Sequence, residues 1–128
     1  MAIPLPFLNL RKNTEDFGYD SKYSGLYRIP GEHMVATDIK AYLRDMTQEQ
    51  WNEWMAGRLS IAAIVRDYRA MIDLLGYRAR ILAGIRGHDG NSILRIIEVG
   101  RPDLRIRDPD GARRRIDQEL AEIRRMLA

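Results

Sequence analysis

The chain has 128 residues, no cysteine and a formal net charge of +3 at pH 7. That length is one domain's worth, able to bury roughly 65–70% of its unfolded surface around a single core. Without thiols there is no disulfide framework, and His33 and His88 alone cannot complete a structural zinc site, so neither a metal nor a cofactor is expected.

No stretch approaches the run of about eighteen apolar residues that a bilayer span requires. The opening MAIPLPFLNLRKN has two prolines, no basic n-region and no small-residue cleavage site. The expectation is a cytoplasmic protein, or one inside a large soluble assembly, with no membrane partner and no signal-directed secretion. Eighteen of the twenty-one basic residues are arginine. Arginine suits bidentate contacts with carboxylates and phosphates, although a GC-rich genome gives the same bias. Through Leu75 the chain carries a net of −1 and beyond it +4, so a polyanion would meet the C-terminal half.

From Met1 to about Met34 periodicity is lost and turn formers accumulate, among them Pro4, Pro6, Asn13, Gly18, Gly25, Pro30 and Gly31. Phe7, Phe17, Tyr19, Tyr23 and Tyr27 give this segment more contact surface than a solvated linker carries. Residues 1–34 therefore read as an extended arm that lies against its own body or a neighbour, with a short extended piece at Gly25 to Ile29. Residues 35–128 read as a helical domain.

Thr37 or Asp38 can cap a helix running to about Met46, with Ile39, Tyr42 and Leu43 on one face. Thr47 and Gln50 form a capping box for a second helix anchored by Trp51, Trp54 and Met55 and ended by Gly57. Ser60 to Arg86 has the most apolar residues at helical spacing. Ile61, Ile64, Val65, Tyr68, Ile72 and Leu75 draw one stripe, which resumes at Tyr77, Ile81, Leu82 and Ile85. It is either one long helix or two meeting at Gly76.

GHDGN, from Gly87 to Asn91, is a turn, and SILRIIEVG after it is read as a short helix closed by Gly100 and Pro102. Asp108 caps the last helix with Pro109 in its first position, and Ile116, Leu120, Ile123 and Leu127 make a narrow seam suited to a coiled-coil partner or to the body's edge. Arg113 to Asp117, Arg115 to Glu119 and Glu122 to Arg125 are expected to pair on the surface.

The sharpest functional pattern spans Tyr68 to Gly87. With Gly76 as the turn, Met71, Leu75, Tyr77, Leu82 and Ile85 fall where a helix-turn-helix keeps apolar groups, which is similar to that motif over twenty residues. Ile72 departs from it, standing four before the glycine where a small residue lets the helices approach. In such a motif Arg78, Arg80 and Arg86 would contact phosphates or guanine edges. Arg113, Arg114 and Arg115, with Arg124 and Arg125, are a second candidate for polyanion contact, read more simply as a solvated face.

His88 beside Asp89 could act as acid or base, but no nucleophile is tied to the pair by sequence, so no catalytic residue is assigned. The sequence thus predicts an all-α bundle of four to six helices with an extended, irregular N-terminal arm. Its architecture resembles, in outline, subunits of large assemblies, phage particles among them. The expected role is a non-enzymatic assembly or adaptor subunit, bound to a protein partner or to its own copies. Its expected contacts are Phe7, Phe17, Tyr19, Tyr23, Tyr27, Ile116, Leu120, Ile123 and Leu127. The alternative is a small DNA-binding protein using Arg78, Arg80, Arg86, Arg113, Arg114 and Arg115.

Overall fold

The computed structural model describes the backbone of residues 8–10, 26–29 and 33–36 and all of residues 38–128. The body is all-α. Its seven helices are α1 (Ile39–Arg44), α2 (Gln48–Met55), α3 (Ile61–Asp67), α4 (Arg69–Leu74), α5 (Arg78–Ile85), α6 (Gly90–Gly100) and α7 (Pro109–Leu127). Before the helices, β1 (Leu8–Leu10), β2 (Leu26–Ile29) and β3 (His33–Ala36) form an antiparallel sheet with β3 in the middle, running two residues past the expected end of the arm at 34. β2 coincides with the extended piece expected near Gly25 to Ile29.

Most helix starts follow local chemistry. Asp38 accepts from Ala41 N–H at 3.1 Å and opens α1. Thr47 and Gln50 exchange both bonds of a capping box at α2, and Ser60 accepts from Ala63 N–H to open α3. Asp108 accepts from Gly111 N–H, with Pro109 in the first turn of α7.

The central stretch divides twice, which raises the helix number above the four to six anticipated. At Tyr68 the backbone turns to φ −109°, ψ 19° while the neighbouring N–H bonds continue, so α3 and α4 follow each other almost without a gap. At Gly76 the break is complete. Its φ is +74°, and Gly76 N–H and Tyr77 N–H bond back to the carbonyls of Asp73 and Ile72, a left-handed helix ending that glycine adopts without strain.

α7, rather than the central stretch, organises the body. It packs against α2, α3, α5 and α6, while α1 packs on α5 and α6. Ala112, Ile116, Leu120, Ile123 and Leu127 descend one side of α7 into a core that includes Trp54, Ile61, Val65, Ile72, Ile81, Ile85, Ile93 and Ile97. Each isoleucine and leucine among them contributes about 1.5–3 kcal/mol by leaving water. Glycine lets α6 reach it: at Gly90 a Cβ would overlap the Arg113 carbonyl oxygen, and Gly90 N–H bonds Asp117 Oδ1 at 2.6 Å.

Candidate functional site

Polar side chains of α7 reach the ends of other helices. Glu119, fully buried, sits on the same stripe as Ile116 and Ile123. Its Oε2 accepts from Ile61 N–H and Trp54 Nε1 at 2.8 Å each, and its Oε1 accepts from Ala62 N–H at 3.0 Å and Ser60 Oγ at 3.2 Å. A carboxylate thus meets the orphan donors of the α3 N-terminus, where the helix dipole favours negative charge. Arg115 stands 3.7 Å away, stacks on Trp54 at 5.3 Å from the ring centroid, and donates to the carbonyls of Trp54 and Leu59.

The same exchange recurs around the body. Arg124 donates to the carbonyls of Ile85 and His88 after α5, Arg101 to those of Arg44 and Met46 after α1, and Arg78 to that of Leu127. Lys40 joins α1 to the Gly84 carbonyl. Several of the arginines are therefore structural: one planar fork satisfies two carbonyls that a helix end leaves unpaired.

This arrangement redistributes the residues singled out in the sequence. Ile116, Leu120, Ile123 and Leu127 have at most 1% of their surface exposed. The seam expected to meet a partner is used by the chain's own core, because α3, α5 and α6 already fill its groove. The Arg115 to Glu119 pair is buried rather than on the surface, Arg113 pairs with Asp110 at 2.6 Å, and Asp117 holds Gly90.

Of the arginines proposed for nucleic acid, Arg115 is committed to the Trp54 and Leu59 carbonyls, and Arg78 holds Asp73 at 2.8 Å as well as Leu127. Arg80 stacks on Tyr77 but is exposed, as are Arg86 and Arg114. Arg80 lies in the first turn of α5 and Arg86 just past its last residue, whereas Arg114 lies on α7. Phe7, Phe17, Tyr19 and Tyr23 lie outside the described residues, and Tyr27 is described only as a backbone position in β2.

GHDGN is the N-cap of α6. Asp89 and Ser92 form a capping box, in which Ser92 N–H, bonded to the Asp89 carboxylate, holds its pKa below the usual carboxylate range. His88 Nδ1 lies 3.0 Å from Ser92 Oγ, a serine four residues on that was not expected beside the histidine. That hydroxyl also bonds the Asp89 N–H and carbonyl, so its surroundings are those of a cap. Glu119, expected only as a surface partner of Arg115, is buried, and the sign of that in the sequence is a charge inside an apolar stripe.

Across the arm sheet, the register puts Leu8, Val35 and Tyr27 in one row and Leu10, His33 and Ile29 in the row two residues along. No helix among the described residues is long and apolar enough to cross a membrane. Comparison with known proteins finds no matching family model, no similar curated protein and no similar solved structure.

Proposed function

We propose that the chain is a non-enzymatic assembly or adaptor subunit that docks on a protein partner, or on a second copy of itself, through its N-terminal arm. Closure of the helical core carries this reading. Among the described residues that core runs from Ile39 to Leu127 and takes in the whole C-terminal seam. Both phenylalanines and three of the six tyrosines stand outside this span, between Phe7 and Tyr27. Large aromatic side chains are favoured anchors at protein interfaces.

Removal of residues 1–37 tests the reading. The shortened chain is expected to keep its helical circular dichroism and a cooperative melt while losing the association that light scattering and pull-down from its source cells detect for the full chain. A shortened chain that no longer folds would overturn the proposal, since the arm would then be a cover for its own core. So would a full chain that shows neither self-association nor a partner.

The break at Gly76 supports a second reading, a DNA-binding role with Arg80 and Arg86 on either end of α5. Against it stands Ile72, buried where the helix-turn-helix pattern keeps a small side chain. A gel shift with duplex DNA decides: binding at low salt that weakens steeply as salt rises, and that Arg80→Ala with Arg86→Ala reduces, favours this role. No shift at low salt eliminates it.

A further inference from the structure

A groove opens on the body where α2 faces the loop joining α6 to α7. From Leu104 to Asp108 the sequence is LRIRD. Leu104 is buried and Ile106 packs half-buried on the core, which leaves Arg105 and Arg107 exposed.

The loop is braced along its length. Arg101 holds the carbonyls of Arg44 and Met46 at one end, and Asp108 caps α7 at the other. Between them Gln48 clamps the Arg105 peptide from both sides: its Oε1 accepts from the N–H at 2.7 Å and its Nε2 donates to the carbonyl at 3.0 Å.

Between loop and helix runs a groove of about 310 Å³, with Trp51 and Met55 on the α2 side and Arg105 and Arg107 on the other. Neither guanidinium has a carboxylate partner within the described structure. Asp108 also borders the groove, but its Oδ1 is taken by Gly111 N–H.

We propose that this groove is the docking site for an acidic linear segment of a partner protein, one apolar side chain entering against Trp51 and Met55 while flanking carboxylates pair with Arg105 and Arg107. Charge complementarity selects this occupant. Two guanidinium forks with no carboxylate partner among the described residues, beside an apolar wall, match a carboxylate next to an apolar anchor, and arginine takes carboxylates bidentately. Because the loop is already fixed by Gln48 and Arg101, little conformational freedom is lost on binding. A nucleic acid fits less well: two cations give a weak phosphate attraction, and the Asp108 carboxylate and apolar wall offer phosphates nothing. The test varies Arg105 and Arg107, which the arm reading does not use, so its failure and that of the arm reading are separable.

The test uses the full chain and a short, dye-labelled, acetylated peptide with a Phe-Leu pair flanked on both sides by aspartate and glutamate. Fluorescence anisotropy is expected to show saturable binding, accompanied by a change in tryptophan emission, and binding at least about tenfold weaker in the Arg105→Ala, Arg107→Ala double variant. Both positions are exposed, so this variant is expected to fold, and an unchanged circular dichroism spectrum verifies that it does. No saturation at millimolar peptide overturns the proposal, as does equal affinity in the double variant. Equal binding by a peptide with serine in place of the Phe-Leu pair also overturns it, and so does displacement by a duplex oligonucleotide at lower concentration than unlabelled peptide.

Discussion

A buried carboxylate is tolerated only when donors replace the water it has lost, and Glu119 has four of them, with Arg115 beside it. Glu119→Gln keeps the shape, but its NH2 group must face one of the two backbone donors, Ile61 N–H or Ala62 N–H, while its single oxygen accepts from the other. A loss of about 2–4 kcal/mol is expected in urea unfolding. Combining it with Trp54→Phe, which removes the indole donor, should cost less than the sum of the two, by about 1 kcal/mol. Additive losses would show that Glu119 and Trp54 act separately.

Acid stability provides another check on single residues. Ser92 N–H lowers the Asp89 pKa, and the Arg101 fork lowers that of Asp103. A carboxyl depressed in the folded state contributes stability that is fully present above its unfolded pKa of about 3.9 and is lost as pH falls through the folded value. The urea midpoint is therefore expected to decline steeply only below about pH 4, and Asp89→Asn, which still caps but does not titrate there, should flatten that decline. An unchanged acid slope in this variant would count against the cap as its source.

Among elements, two glycines are required for different reasons. At Gly76 a side chain would find open space but a left-handed backbone, so Gly76→Ala should cost about 1 kcal/mol. At Gly90 a methyl group would meet the Arg113 carbonyl and the Asp117 carboxylate, so Gly90→Ala should cost more, about 2–3 kcal/mol, with α6 pushed off α7. Thermal denaturation of the two variants side by side gives the ranking, and a smaller loss at Gly90 would mean that α6 and α7 can separate easily.

The contrast explains what could be read from the sequence. Thr47 with Gln50, and Asp108 with Pro109, were legible because both halves of each cap lie within four residues. The amphipathic stripe of α7 was legible too. What covers that stripe was not, since a 4-3-4 spacing is the same whether the neighbour is another chain or α3, α5 and α6. Nor could spacing show that Glu119 caps a helix that starts 58 residues earlier, at Ile61. Arginine abundance was equally ambiguous until the carbonyls of Trp54, Leu59, Ile85 and Met46 appeared beneath the guanidinium groups.

At the scale of the whole molecule, one core joins all seven helices, so the body should unfold as a single unit. Trp51 and Trp54 report on α2 and far-ultraviolet circular dichroism on every helix. Their urea transitions are expected to coincide, and a separate early tryptophan transition would mark α2 as an independent unit.

Because α7 supplies a carboxylate to the starts of α3 and α6 and an arginine to the carbonyls that follow α2 and α5, none of those four helices is complete before it arrives. On the ribosome α7 emerges after the other six. The nascent chain therefore exposes its isoleucine-rich interior until nearly the whole body has been made, then closes in one step, and needs protection from aggregation during that interval. A fragment ending at residue 108 should remain unfolded, and adding a synthetic peptide of residues 108–128 should restore helicity to both pieces together.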